Sequence, residues 1–324
     1  MAARDWEFPA EVRPNVKDVE FDLDAALSAV VHLRAEVLED AFTASILGTE
    51  RDGNGVVIRD DGLVLTIGYL ISEAEKVWLT TNKGAAAPAH VVAYDQTTGF
   101  GLVQALGRLG VPALSRGRST AYGVGDLVIM AGHGGQRHAL QARIASKREF
   151  AGYWEYVLDE AIFTLPAHPQ WGGAALIGRE GKLLGIGSLL VQGVAESGEQ
   201  VDANMIVPID LLEPIFEDLL RLGRCNRPPR PWLGMYTTET SEGPTVVSLA
   251  RGGPAHRAQI RAGDRVVAVA GARIESLADL YRKIWALGPA GTEIPLTLVR
   301  EGDTFEVRIG SANRDDFLKK PHLH

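Results

Sequence analysis

Short runs of valine, isoleucine and leucine recur between residues 53 and 207, and glycine, asparagine, aspartate or proline closes each run. "GVVIRDDGLVLTIGYLI" holds two such runs on either side of Asp-Asp-Gly, which is typical of a β-hairpin. "KVWLTT", "AHVVAYD", "FGLVQAL" and "DLVIMAG" continue the pattern. Many short strands at this spacing favour a β-barrel or a β-sandwich.

The pattern changes after residue 207. "VPIDLLEPIFEDLLRLGR" places apolar side chains from Ile209 to Leu220 on one helical face and ends at Gly223, so it predicts a helix. "CNRPPRP" follows and is typical of a stiff linker. The last ~80 residues, the size of a small domain, mix strands with one helix that begins at Ser276. The tail "NRDDFLKKPHLH" is polar and is expected to be extended.

Length, charge and cysteine content narrow the function classes. A chain of 324 residues suggests about two domains, and a net charge of −8 argues against general nucleic-acid binding. The N-terminus lacks the apolar core of a signal peptide, and the apolar stretches are too short to cross a bilayer. We therefore expect a cytoplasmic protein without membrane contact. The single cysteine, Cys225, is expected to be a surface or linker thiol and not a nucleophile.

The order of motifs resembles the HtrA/Deg family of serine proteases. "GNGVVIRDDGLVLTIGYLI", "YDQTTGFGLVQA" and "AHPQWGGAALIGREGKLLGIGS" are similar to the segments that carry the histidine, the aspartate and the serine of trypsin-like proteases. "PPRPWLGMY" and "RGGPAHRAQIRAGDRVVAVAG" are similar to a PDZ domain. The resemblance implies a mainly β fold, a chymotrypsin/trypsin-like double β-barrel followed by an α+β PDZ domain.

The resemblance also implies a division of the chain. The expected parts are an N-terminal segment with a short helix and the first strand (1–44), a trypsin-like double-barrel domain (45–223), a proline-rich linker (224–231), a PDZ domain (232–311) and a C-terminal tail (312–324).

The catalytic positions of the family carry other residues here. The histidine position falls on Tyr69, the aspartate position on Gly99 and the serine position on Trp171. Tryptophan offers only an N–H donor, and tyrosine is a poor general base at neutral pH. The resemblance therefore implies that the triad is lost, with Gly172 and Gly173 as remnants of the oxyanion loop. The loop before Trp171 is also shorter than in the family, and Leu165 stands where the family has an aspartate.

Several alternatives remain open for this site. Trp171 either plugs the former cleft, which we favour, or forms an aromatic platform for a ligand. Thr164, Ser188 or Ser146 could be a relocated nucleophile, since a triad is assembled by the fold and not by sequence order. His133, His138 and His168 are weak candidates for a metal site because no cysteine or carboxylate accompanies them. We expect no cofactor.

The PDZ segment retains more of the family's chemistry. The resemblance implies that backbone N–H groups of Leu233, Gly234 and Met235 hold a peptide's terminal carboxylate. The peptide would add as a strand between "GMYTTE" and the helix that begins at Ser276. The candidate peptide-binding residues are Trp232, Leu233, Gly234, Met235, Tyr281 and Trp285. Alternatively, the protein itself fills the groove, with its own tail "KKPHLH" as the candidate occupant.

These observations predict a catalytically inactive HtrA-like pseudoprotease that binds protein or peptide C-termini as a scaffold or regulator. The alternatives are an active serine-type endopeptidase with a non-standard site and a histidine-based metal- or ligand-binding protein. The family resemblance further implies a homo-oligomer, with a trimer as the family's usual assembly.

Overall fold

The computed structural model describes residues 6–194 and 200–319. Its described residues form two compact units. The first unit takes the chain up to residue 148 and from 160 to 225, and the second takes residues 149–159 and 226–319. The first unit is a trypsin-like double β-barrel and the second is a PDZ domain, so the predicted fold class is confirmed.

The first barrel closes in the strand order β1-β2-β3-β6-β5-β4. Alternation dictates which side chains face inward: along β1, Leu33 and Ala35 are fully buried, whereas Arg34 between them is exposed. The elements of this half are α1 (Leu23–Ser28), β1 (Val30–Val37), α2 (Ala44–Leu47), β2 (Glu50–Val57), β3 (Leu63–Ile67), β4 (Ala74–Thr80), β5 (Ala86–Tyr94) and β6 (Phe100–Ala105).

The second barrel closes in the order β10-β11-β12-β9-β8-β7. Its interior is a cluster of apolar side chains that includes Met130, Leu140, Ile162 and Leu176. The strands are β7 (Leu127–Ala131), β8 (Ala139–Gly152), β9 (Tyr156–Leu165), β10 (Ala175–Ile177), β11 (Leu183–Val194) and β12 (Gln200–Pro208). Single 3-10 turns lie at Ala10–Val12, Val16–Asp18, Gly68–Leu70, Ser119–Ala121 and Gly135–His138.

The segment after β12 differs from the single helix that its periodicity predicts. It forms 3-10 turns at Ile209–Leu211 and Glu213–Ile215, and only Phe216–Leu222 is an α-helix, α3. Pro214 has no amide hydrogen and disfavours a helical residue before it, so the helix begins after it. The prediction of a surface thiol is also wrong, because Cys225 is buried and its Sγ lies 3.2 Å from an Asp95 carboxylate oxygen.

The second unit is built on a sheet in the order β13-β14-β15-β17-β18, with β16 paired to β15. Its apolar core includes Leu233, Val246, Leu280 and Ile294. Ser276 caps the main helix by accepting a hydrogen bond from the Asp279 amide. The elements are β13 (Met235–Thr240), β14 (Gly243–Leu249), α4 (Pro254–Arg257), β15 (Arg265–Val269), β16 (Ala272–Arg273), α5 (Leu277–Ala286), β17 (Glu293–Arg300) and β18 (Asp303–Gly310).

Two parts of the second unit differ from the expected division of the chain. The tip of the β8–β9 hairpin, residues 149–159, belongs to this unit, and Val157 joins its apolar core. The beginning of the tail is folded and not extended: Arg314–Asp316 forms a 3-10 turn, and the ring of Phe317 lies 4.8 Å from that of Trp232. Residues 320–324, which belong to the candidate occupant of the groove, lie outside the described residues.

Within the described parts of the chain, no helix combines the length and the apolar character needed to cross a bilayer.

Candidate functional site

A cleft of about 890 Å³ opens in the first unit, where residues of both barrels meet. The first barrel contributes parts of β1 and β2 and the turn after β3, and the second contributes residue 133 and residues 169–172. Charged and aromatic side chains dominate the lining: His32, Arg34, Glu50, Arg51, Asp52, Tyr69, His133 and Trp171.

Tyr69 and Trp171 lie together in this cleft. The Tyr69 hydroxyl donates a hydrogen bond to the Ser188 carbonyl oxygen at 2.8 Å, and Trp171 lines the same cleft. Burial raises the pKa of Tyr69 far above its usual value, so its oxygen does not act as a base at neutral pH. Trp171 is half-buried and lines the cleft, so it does not fill it as the plug interpretation expected.

Gly99 lies against the same turn. Its carbonyl oxygen accepts a hydrogen bond from the amide of Gly68, the residue before Tyr69, at 2.7 Å. Its φ of +85° is in the left-handed region that glycine adopts without cost. The structure thus places Tyr69 and Trp171 in the cleft and Gly99 against the turn that carries Tyr69.

Asn54, at the end of the cleft, holds the glycine loop. Its side-chain amide donates to the carbonyl oxygens of Gln170 at 2.9 Å and Gly172 at 3.0 Å. Gly173 has a φ of +76°, and a Cβ there would stand 1.8 Å from the Asn54 carbonyl oxygen. The loop therefore requires glycine at position 173 for both conformation and space, which explains why a Gly-Gly pair stands here.

No sequence motif points to Arg51, yet its hydrogen bonds hold the segments around the cleft in position. It is buried, and its guanidinium donates to the carbonyl oxygens of Tyr69 at 2.7 Å and Ser72 at 2.8 Å and to the hydroxyl of Thr43 at 2.7 Å. Burial lowers the pKa of Arg51 to about 10, which leaves it charged at neutral pH. Arg51 therefore anchors the turn that carries Tyr69.

Two of the candidate histidines, His168 and His133, use ring nitrogens for hydrogen bonds within the protein. His168 is fully buried; its Nε2 donates to the His138 carbonyl oxygen, and its Nδ1 accepts from the Gln170 amide. Burial lowers the pKa of His168 to about 4. With both ring nitrogens engaged, His168 has no nitrogen left for a metal. His133 pairs its Nδ1 with the Asn54 side chain, and burial lowers its pKa to about 4 as well.

None of the three hydroxyl candidates is among the described residues that line the cleft. Thr164 and Ser188 are buried, and Ser146 is half-buried. Among the described residues that line the cleft there is no serine, threonine or cysteine. A His–Asp pair does line it, since His32 Nε2 lies 3.0 Å from an Asp52 carboxylate oxygen.

A second candidate site lies on the PDZ unit, at the loop before β13. The amides of Leu233, Gly234 and Met235 converge there, and all three donate to the carboxylate of Glu155. Burial raises the pKa of Glu155 to about 7, although these hydrogen bonds act in the opposite direction. No sequence pattern marks Glu155, which is 78 residues away from the loop.

The three aromatic residues predicted for this groove differ in their burial and in the groups that they contact. Trp232 is buried and pairs its backbone with Ala312. Tyr281 is part of the core, with its hydroxyl donating to the Tyr153 carbonyl oxygen at 3.2 Å. Trp285 is partly buried, and the guanidinium of Arg230 lies 4.2 Å above its ring.

Comparison with known families identifies both units. The trypsin-like peptidase domain family matches residues 53–186, and the PDZ domain family matches residues 231–310.

The curated relatives are named as proteases. A probable periplasmic serine endoprotease, DegP-like, of Chlamydia trachomatis is 25% identical over 275 residues, which cover 79% of this chain and 53% of the relative. The protein of the same name in Pseudomonas fulva is 25% identical over 279 residues, covering 82% of this chain and 57% of the relative. The chain thus spans about half the length of these relatives. Their names overturn the expectation of a cytoplasmic protein, since they place the relatives in the periplasm.

Solved structures agree with the fold. The HtrA-type protease AlgW, solved with a decapeptide, has a TM-score of 0.53 at 18% identity, covering 92% of this chain and 99% of that one. The serine endoprotease from Yersinia pestis has a TM-score of 0.51 at 23% identity, covering 91% and 98%. At this identity the likeness establishes the shared fold.

Proposed function

We propose that this HtrA-like chain, a trypsin-like peptidase domain followed by a PDZ domain, is a pseudoprotease that binds protein or peptide C-termini and does not cleave them. The observation that carries the proposal is that Tyr69 and Trp171 line the cleft together. Peptide hydrolysis by a trypsin-like site needs a nucleophile and a base that takes its proton. Neither side chain supplies one.

The backbone of the loop supports the same proposal. In the serine-protease template, the oxyanion hole uses the amides of the nucleophile and of the residue two positions before it. The residue two positions before Trp171 is Pro169, which has no amide hydrogen. The amide between them, that of Gln170, is engaged by His168. The loop therefore lacks one of the two donors that would stabilise a tetrahedral intermediate.

Peptide binding is supported by the amides of Leu233, Gly234 and Met235. Three N–H groups that converge on one carboxylate form an anion site suited to a chain terminus. The structural relative AlgW was solved with a decapeptide, which is in line with this role.

A fluorophosphonate probe tests the absence of activity, because it labels activated serines covalently. The purified chain is incubated with the probe and, separately, with unfolded casein, with trypsin as the positive control. We expect no labelled serine and intact casein. Labelling at a single serine together with cleavage of casein would contradict the proposal.

A second candidate function is an endopeptidase with relocated catalytic groups, and the His32–Asp52 pair in the cleft favours it. Such a pair can activate a nucleophile that lies within hydrogen-bond distance. The same assay separates the two candidates, since this one requires labelling that His32→Ala abolishes.

For the cellular setting we propose the periplasm, on the names of the relatives. By family resemblance we also propose a homo-oligomer, with a trimer as the candidate assembly. Light scattering coupled to size-exclusion chromatography measures its mass, and a monomer at micromolar concentration would contradict this proposal.

A further inference from the structure

We infer that the PDZ groove is closed by the protein's own β8–β9 hairpin, with the Glu155 side chain in the place of a peptide's terminal carboxylate. A protein C-terminus then binds only by displacing residues 149–159. This inference rests on the proposed peptide-binding function and adds how that function is regulated.

The anion site is occupied at every amide that would hold a peptide. Glu155 Oε1 accepts from Gly234 at 2.7 Å and from Met235 at 3.1 Å, and Oε2 accepts from Leu233 at 3.1 Å. A side-chain carboxylate and a terminal carboxylate are the same chemical group, so the two compete for these donors. Glu155 and the three loop residues are all buried, so a second anion has no room beside the first.

The hairpin also occupies the sheet edge where a peptide would add. β13 is the outermost strand of its sheet, and its Thr237 amide donates to the Tyr153 carbonyl oxygen at 2.9 Å. The Tyr281 hydroxyl, on α5, donates to the same oxygen. The hairpin therefore lies between β13 and α5 and makes the main-chain contact that defines peptide addition to a sheet.

Side chains on both sides of Glu155 fasten the hairpin. Val157 is buried in the core of the PDZ unit. Arg282 forms salt bridges to both Glu149 and Asp159, one at each end of the tip. The salt bridges are exposed and screened by water, so they contribute little, and Val157 is the stronger attachment.

Burial and backbone strain at Glu155 cost free energy, which makes the hairpin easier to displace. Glu155 has a φ of +60°, a left-handed conformation that is unfavourable for a residue with a Cβ. The groups that face its carboxylate are Arg314, Tyr281, Tyr236 and the three amides. Burial opposes its charge, and the hydrogen bonds from the three amides together with the guanidinium of Arg314 only partly offset this. Because the pKa of Glu155 is higher in the closed groove than in water, low pH stabilises the closed hairpin, and a rise in pH through 7 favours its displacement by a peptide.

Binding of labelled peptides to the full chain tests the inference. The probes are fluorescein-labelled decapeptides that end in Val, Leu or Phe with a free carboxylate, and the same peptides with an amidated end. The variants are Glu155→Ala and Glu155→Gln, with Glu306→Gln as the matched control, because Glu306 is an exposed carboxylate on β18 of the same unit.

Fluorescence polarisation measures the dissociation constants. We expect both Glu155 variants to bind free-carboxylate peptides at least tenfold more tightly than wild type, since the competent fraction of grooves rises. Glu306→Gln should match wild type, and amidated peptides should not bind. Wild-type binding that neither Glu155 variant strengthens would overturn the inference and leave the proposed function standing. If no variant binds any free-carboxylate peptide, peptide binding itself is refuted, and the inference with it.

Amide hydrogen exchange distinguishes an opened groove from an unfolded unit. In Glu155→Ala without peptide, Leu233, Gly234 and Met235 should exchange faster than in wild type, while Val246 and Leu296 in the core stay protected. Saturating peptide should restore the slow exchange. Unchanged protection at all three loop amides would overturn the inference.

Discussion

At the scale of single residues, several buried polar groups have pKa values that differ from their usual ones. Glu155, Tyr69, His133 and His168 all have pKa values displaced mainly by burial. In each case the neutral form is favoured, and hydrogen bonds fix the orientation of the group. The hydrogen bonds of these residues hold loops in place.

Protonation of Glu155 links stability to pH. Its pKa is raised from 4.5 to about 7 in the folded protein, so the folded state binds more protons between these values. The stability contributed by this group is therefore full below about pH 4.5 and is lost as the pH rises towards 7. We compare the free energies of unfolding of wild type and Glu155→Gln at pH 5, 6, 7 and 8. The value for wild type minus the value for the variant should fall as the pH rises.

Urea unfolding followed by tryptophan fluorescence provides these values. The charge-matched control Glu306→Gln should give a difference that does not depend on pH, because Glu306 is exposed. A flat difference for Glu155→Gln would show that its carboxyl titrates at an ordinary value in the folded protein.

The hydroxyl of Tyr69 satisfies the carbonyl of Ser188. Tyr69→Phe leaves that oxygen without this donor, and we expect a loss of about 1–2 kcal/mol in the free energy of unfolding. Chemical denaturation measures the loss. Tyr153→Phe, at a tyrosine that is 44% exposed, is the comparison and should stay within about 0.5 kcal/mol of wild type. Equal effects in the two variants would refute a specific role for the Tyr69 hydroxyl.

At the scale of elements, two connections determine what the protein presents to a ligand. The glycine loop at 172–173 is clamped by Asn54 and shapes the cleft, and the hairpin tip at 149–159 fills the PDZ groove. Both depend on backbone conformations with positive φ, at Gly173 and at Glu155. The loop uses glycine for this purpose, whereas the hairpin uses glutamate and accepts backbone strain in order to deliver a carboxylate.

Replacement of Gly173 by alanine tests the clamp. The new Cβ would meet the Asn54 carbonyl oxygen at 1.8 Å in a left-handed conformation, so we expect a destabilisation of more than about 2 kcal/mol. The matched control is Gly123→Ala, where no atom lies within 4 Å of the added Cβ and φ is not positive. Thermal unfolding compares the two variants, and similar melting temperatures would show that the loop yields easily.

At the scale of the whole molecule, catalysis would need groups from both barrels to lie together in a suitable geometry. The turn after β3 carries Tyr69, the turn before β6 carries Gly99, and the loop before β10 carries Trp171. Side chains alone do not restore such a site, because Pro169 lacks an amide hydrogen and Gly99 is held at a φ of +85°.

The triple variant Tyr69→His, Gly99→Asp, Trp171→Ser should therefore remain unable to cleave unfolded casein, as gel electrophoresis after overnight incubation would show. Circular dichroism confirms that the variant is folded, and Trp171→Ser alone is the comparison. Casein cleavage that disappears when position 171 carries alanine in the same background would show that the loop retains a working oxyanion site.

The fold and the order of its two domains were predictable from the sequence. Strand periodicity, glycine turns and family motifs are local signals, since each depends on residues close together in the chain. The helix after β12 was only partly predictable, because Pro214 outweighs the apolar periodicity there. The openness of the cleft around Trp171 depends on packing between barrels and leaves no local signal.

Side-chain identity, which is read directly from the chain, leaves no catalytic triad at the three positions that the family resemblance assigns to Tyr69, Gly99 and Trp171. It suffices for that conclusion because it decides which groups can donate or accept a proton. The roles of Arg51 beneath the cleft and of Glu155 in the PDZ anion site emerge only once the chain is folded. These contacts join residues that are far apart in sequence, and the energy of a buried carboxylate depends on the amides around it and not on its neighbours in the chain.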